Sequence, residues 1–234
     1  MSGPFGTFGT FGRIANNCDT GLREPDADAA RTLNASNVPM LHRLCVFCGS
    51  STGVSPAYRA AAERLAREMV ARGIGLVFGG GCVGLMGVVA DAVLDAGGHA
   101  IGVIPQAMVA REIAHPGLPD LRIVKSMHER KATMAELSDS FVALPGGYGT
   151  FEEFFEVVTW TQLGLHRKRC GLLNVEGFYD PLLALVDRAS GAGFIKPQNR
   201  TIVMADADPA RLLDRLSEPL HQPESSRVLA PDEI

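Results

Sequence analysis

Three stretches carry residue types at spacings that can do chemistry. The first is Pro145-Gly146-Gly147-Tyr148-Gly149-Thr150-Phe151-Glu152-Glu153. Its glycines stand between an apolar run and a helical pattern, so their amides and the helix start form a nest for an anion. Two carboxylates follow directly. The second stretch is Met127-His128-Glu129-Arg130-Lys131. Arg130 shares a helical face with Met127, Met134 and Leu137, and an arginine in an apolar stripe must meet an anion or snorkel out of it. The anions on offer are Glu153, Glu112 and a bound phosphate. Lys131, one step round the helix, can reach a phosphate. The third is Gly79-Gly80-Gly81-Cys82-Val83-Gly84, a G-x-G-x-x-G between an apolar run and a helix, where a backbone can approach a phosphate closely. A dinucleotide site also wants an acid at the end of the next strand. That strand ends in Ile104-Pro105-Gln106, so a phosphate stays in view and NAD does not. Each stretch has a plainer reading beside the chemical one. The glycine run can be a tight turn. Thr150 and Glu153 fit a capping box at the start of a helix over 150–163. Arg130 can belong to a structural ion pair.

Other chemistries find no support. His42, His99, His115, His128, His166 and His221 make no metal-ligand spacing, and Ser50-Ser51 lacks the G-x-S-x-G frame of a hydrolase nucleophile. The five cysteines are odd in number and unevenly spaced. Cys45 and Cys48 form a C-x-x-C inside a strand-like run, where reduced cysteines act as small hydrophobes. Their usage points to a reducing, cytoplasmic setting.

The elements that must hold these residues alternate. Apolar runs at 43–48, 74–78, 99–104, 121–124, 140–144, 169–175 and 201–204 read as strands. Helical patterns lie between most of them. Ser55-Pro56 opens one and Gly73 closes it; others span 85–96, 127–138 and 150–163, and Asp180-Pro181 and Asp208-Pro209 open two more. Most strands are apolar on both faces, which predicts a parallel sheet covered on both sides: a Rossmann-like three-layer α-β-α sandwich of about seven strands. Ligands of such sheets sit at the strand carboxyl ends. Here those ends are Gly49-Ser50-Ser51, Gly79-Gly80-Gly81, Pro105-Gln106 and Pro145-Gly146-Gly147.

The chain has 234 residues, 46% of them hydrophobic, with 22 Lys+Arg against 26 Asp+Glu for a net charge of −4. That supports one domain with a sizeable core and no general nucleic-acid surface. No apolar run approaches the roughly 20 residues of a membrane span. Residues 1–42, opening with a Gly/Phe/Thr repeat, and 217–234, rich in proline and charge, read as tails, leaving 43–216 as the domain.

The two stretches 127–131 and 145–153, the latter meeting P-G-G-x-G-T-x-x-E in full, resemble the LOG (Lonely guy) family of cytokinin riboside 5′-monophosphate phosphoribohydrolases, whose members often carry the label lysine decarboxylase. Val46 to Ser51, Gly79 to Gly87 and Thr159 to Gly164 are similar to family text as well. The resemblance implies hydrolysis of the N-glycosidic bond of an N6-substituted AMP to a free cytokinin base and ribose 5-phosphate, with no metal or organic cofactor. It implies Arg130 and Glu153 as the catalytic pair. Glu112, Lys131, Gly146, Gly147, Tyr148, Gly149, Thr150, Phe151, Glu152 and Thr159 match substrate-binding positions, and Gly49, Ser50, Gly80, Gly81 and Met127 are taken with them. The family is commonly a homodimer. A lysine decarboxylase would normally hold PLP as a Schiff base on a lysine, and none of Lys125, Lys131, Lys168 and Lys196 sits in a Ser-x-His-Lys setting. Two alternatives stay open: a phosphoribohydrolase acting on AMP or nucleoside monophosphates in general, and a Rossmann-like carrier that binds a nucleotide without cleaving it.

Overall fold

The computed structural model describes residues 41–109 and 114–218. Both expected tails, apart from their inner few residues, and Glu112 lie outside them. Seven parallel strands form one sheet: β1 (Arg43–Phe47), β2 (Gly75–Phe78), β3 (Ala100–Pro105), β4 (Asp120–Val124), β5 (Ser140–Ala143), β6 (Arg169–Leu173) and β7 (Val203–Asp206). Their spatial order is β4-β3-β2-β1-β5-β6-β7. The chain thus runs outward one way from β1 and the other way from β5, and the order reverses between them. The connecting helices are α1 (Pro56–Ala71), α2 (Gly84–Asp95), α3 (Met127–Leu137), α4 (Tyr148–Leu163), α5 (Asp180–Gly191), the short α6 (Pro197–Arg200) and α7 (Pro209–Ser217).

Alternation along the strands builds two cores. Leu44 and Val46 of β1 enter the core shared with α1, α2 and α7; Cys45 and Phe47 enter the one under α3 and α4. That double burial makes the inner strands apolar on both faces, while the edge strand β4, with Arg122 and Ile123 exposed, is buried mainly at its end. Helix starts follow local chemistry. Ser55 accepts from the Ala57 amide at 3.2 Å with Pro56 in the first turn of α1, and Asp208 accepts from the Arg211 amide at 3.1 Å ahead of α7.

Two expected strands shift. The last runs Val203–Asp206 rather than 201–204, because Lys196-Pro197 starts α6 and Thr201–Ile202 turns out of it. The sixth strand stops at Leu173, and Val175–Gly177 forms a tight turn with Glu176 at φ 52°. Cys45, Cys48, Cys82 and Cys170 are free thiols, all but Cys82 buried. Among the described residues no helix is long and apolar enough to cross a membrane.

His166 packs under the sheet end between Phe141 and Trp160. Its Nδ1 accepts from the Lys168 amide at 3.2 Å, and its Nε2 is buried without a hydrogen-bond partner among the described residues. Burial, then the Lys168 charge, lowers its pKa from 6.5 to about 4. The unfolded chain therefore binds the proton first as pH falls, so stability is full above 6.5 and declines towards 4. The expected loss over that window is on the order of 3 kcal/mol. Urea unfolding at pH 7 and pH 4 should show that part of the loss absent in His166→Gln.

Candidate active site

The reversal of strand order puts a crevice at the carboxyl ends of β1 and β5. Register brings the two chains out side by side, with Val46 opposite Val142 and Phe47 opposite Ala143. The Leu144 amide donates to Phe47 O at 2.9 Å and the Gly49 amide to Pro145 O at 3.1 Å. Tyr179, fully buried, donates its hydroxyl to Leu144 O at 2.6 Å and steadies the strand end from below. Beyond it a Cβ on Gly146 would overlap Thr150 Oγ1, so only glycine lets the turn lie this close to α4.

α4 starts earlier than expected. Its N-cap is Gly147, with no side-chain cap, and Phe151 N donates to Gly147 O at 3.1 Å. Thr150 therefore lies inside the first turn, buried, and the Thr150–Glu153 capping box is not formed. Glu153 is freed from a capping role. The first-turn amides of Tyr148, Gly149 and Thr150 have no acceptor within the helix and present the positive end of its dipole. A capping arrangement does exist, one helix earlier. Ser126 accepts from the Glu129 amide at 3.1 Å and Glu129 accepts from the Lys125 amide at 2.6 Å, which fixes the start of α3.

α3 carries Arg130 inward, 5% exposed. Its Nε donates to Val103 O at 3.1 Å at the end of β3, and Nη2 to Gly79 O at 3.2 Å just past β2. Nη1 lies 3.9 Å from Glu153 Oε1, with the two side chains 7% and 14% exposed, and 3.8 Å from Met127 Sδ. The guanidinium fork thus spans two strand ends and turns its remaining edge to the carboxylate. A Cβ on Gly79 would overlap Arg130 Nη2. Gly79 is the seat of the arginine. Gly79→Ala should displace the guanidinium and lower turnover about 100-fold, the scale of a misplacement near 1 Å. Steady-state kinetics beside an unchanged circular-dichroism spectrum would check it.

A cleft of about 210 Å3 opens here. Of the residues expected from sequence, Gly49, Ser50, Arg130, Gly147, Tyr148, Gly149, Thr150 and Glu153 line it; Cys48 and Met86 complete the wall. Burial, then the Glu153 charge, pushes the Cys48 thiol well above its usual range, so it stays protonated. Gly146 faces an adjoining hollow of about 270 Å3 that shares Gly49, Ser50 and Gly147 with the cleft and adds Tyr58 and Phe178.

The rest of the expected set stands elsewhere. Gly80 and Gly81 do not line the cleft; Gly80 O accepts from the His115 amide at 3.0 Å and Gly81 pairs with Ala114. They receive a returning segment that His115 Nε2 also ties to Asp91 Oδ1 at 2.8 Å. Phe151 packs towards Phe178 and Tyr179. Thr159 is exposed and donates to Phe155 O at 2.7 Å. Lys131 is held by Glu152 at 2.6 Å and Glu156 at 3.0 Å. Sequence reading missed Gly79, Cys48, Met86 and Glu156. Only Gly79 carried a signal, its place in the glycine run. No group of three or more His, Cys, Asp or Glu among the described residues is placed to hold a metal ion.

One cleft therefore gathers an anion-binding helix start, a fixed cation and a shielded carboxylate. Comparison with known proteins places the chain among relatives. A family described as "Possible lysine decarboxylase" matches residues 86–216. A probable cytokinin riboside 5′-monophosphate phosphoribohydrolase of Oryza sativa subsp. japonica is 50% identical over 206 residues, 88% of this chain and 90% of that one. A cytokinin riboside 5′-monophosphate phosphoribohydrolase of Arabidopsis thaliana is 50% identical over 186 residues, 80% of this chain and 85% of the relative. Among solved structures, the molybdenum cofactor carrier protein of Chlamydomonas reinhardtii aligns with a TM-score of 0.57 at 18% identity, over 75% of this chain and 95% of that one, a likeness of fold alone. On half-identity over most of its length, and with P-G-G-x-G-T-x-x-E folded into the cleft wall, the chain belongs to the LOG family of cytokinin riboside 5′-monophosphate phosphoribohydrolases.

Proposed function

We propose that this enzyme hydrolyses the N-glycosidic bond of N6-substituted AMP, releasing the cytokinin base and ribose 5-phosphate. One observation carries the reading: Arg130 and Glu153 meet at 3.9 Å in a cleft floored by the start of α4. The family's substrates put a phosphate, a ribose and a leaving base in a row, and the cleft offers partners for the phosphate and the sugar. The first-turn amides of α4 take the 5′-phosphate. Glu153, little exposed, stabilises the positive charge that grows on the sugar as the bond to the base lengthens. A water adds its hydroxyl to the sugar carbon, and its proton leaves with the base. Arg130, pinned by two carbonyls, keeps the carboxylate aimed.

The reading extends to a homodimer working in the cytoplasm. Tyr148, Phe155 and Leu163 follow one side of α4 and are 93%, 37% and 48% exposed, an apolar row that suits a second copy. Four free thiols suit a reducing compartment. The test gives purified protein isopentenyladenosine 5′-monophosphate, AMP and isopentenyladenosine in parallel. Base release from the substituted monophosphate, slower release from AMP and none from the nucleoside are expected. Equal rates with both monophosphates would move the assignment to a general nucleoside-monophosphate hydrolase.

A further inference from the structure

Glu156 belongs to no motif singled out above, yet it stands three residues past Glu153 on α4. Its Oε1 meets Lys131 Nζ at 3.0 Å, while Glu152 Oε1 holds the same ammonium at 2.6 Å. The Lys131 side chain is 10% exposed, Glu156 23% and Glu152 56%. The second oxygen of Glu156 is buried, with no hydrogen-bond partner among the described residues. A half-satisfied carboxylate in such a place is costly and depends on its one cation. The contact with the exposed Glu152 is the weaker anchor, since water competes for it.

Lys131 follows Arg130 on α3, so besides the exposed Lys131–Glu152 pair two more shielded rungs join the two helices. The first is Arg130–Glu153 at 3.9 Å, long for an ion pair. The second, Lys131–Glu156, is shorter. Arg130 is already fixed from its own side by the Val103 and Gly79 carbonyls. Neither Lys131 nor Glu156 lines the catalytic cleft. We propose that Glu156 is a positioning residue: acting through Lys131, it ties α4 to α3 beside the cleft and holds the Glu153 carboxylate within reach of Arg130.

The kinetic arm of the test rests on the hydrolase reading; a structural arm does not. Glu156→Gln keeps the shape and removes the charge. It should lower kcat for base release about tenfold with KM little changed, the scale of one coupled contact. Lys131→Met should do the same, and the double variant should be no worse than the poorer single. Glu156→Asp should recover part of the loss. In crystal structures, the Arg130–Glu153 separation should widen in Glu156→Gln beyond about 4 Å, the outer limit of an ion pair. Additive losses in the double variant would overturn the proposal. So would a raised KM at unchanged kcat, which would make Lys131 a phosphate ligand that Glu156 only tunes. An unchanged separation would overturn it as well. A wild-type chain that released no base would sink the hydrolase reading, and the crystal structures would still decide the role of Glu156.

Discussion

Glu153→Gln is expected to lower kcat for base release about 1,000-fold, the upper range for removing one preorganised stabiliser of transition-state charge. The amide fills the same space, and α4 does not lean on this side chain. Its N-cap is Gly147, and no side chain caps it. The circular-dichroism spectrum should therefore match the wild type. Arg130, 3.9 Å away, keeps its bonds to Val103 O and Gly79 O. Substrate KM should change little, because the proposed phosphate site is made of backbone amides and not of the carboxylate. Normal turnover in this variant would leave Glu153 a bystander.

Arg130→Ala has the other large effect, on activity and stability together. Its removal strands two carbonyls at the ends of β2 and β3 and leaves Glu153, 14% exposed, without its cation. Breaking a shielded pair from one side destabilises by about 3 kcal/mol. Turnover should fall about 1,000-fold, since the carboxylate loses both its counter-charge and its aim. Arg130→Lys separates the two effects. A lysine keeps the charge but cannot reach Val103 O, Gly79 O and Glu153 at once. It should regain more stability than activity, which urea unfolding and steady-state kinetics would show side by side.

Much of this was legible in the residues because the sheet is buried on both faces. Apolar runs place five strands to within a residue at either end, and glycine, proline and serine punctuate the helices. The strand-end loops at 49–50 and 145–147 were placed at the crevice from order alone, and they line it. Reading failed where two local chemistries compete. Thr150-x-x-Glu153 looks like a capping box, but the glycines before it let the helix start at Tyr148, and the arrangement formed instead at Ser126 and Glu129. The run at 79–84 looked like a phosphate loop. In the fold Gly79 makes room for an arginine, and Gly80 and Gly81 receive the chain returning at Ala114–His115. Lys131 sits beside Arg130 in sequence but faces two carboxylates of α4, a pairing across helices that no spacing encodes. Glu156 is invisible for the same reason.

The central claim is that this cleft cleaves a nucleotide rather than only holding it. The most direct measurement is a single-turnover reaction with enzyme in excess over isopentenyladenosine 5′-monophosphate, followed by chromatography of every product, with Glu153→Gln alongside. Free base and ribose 5-phosphate in equal amounts are expected from the wild type, and intact nucleotide from the variant. Nucleotide bound and returned unchanged by the wild type would contradict it, and would leave the glycine turn and the Arg130–Glu153 pair as a binding site without hydrolysis.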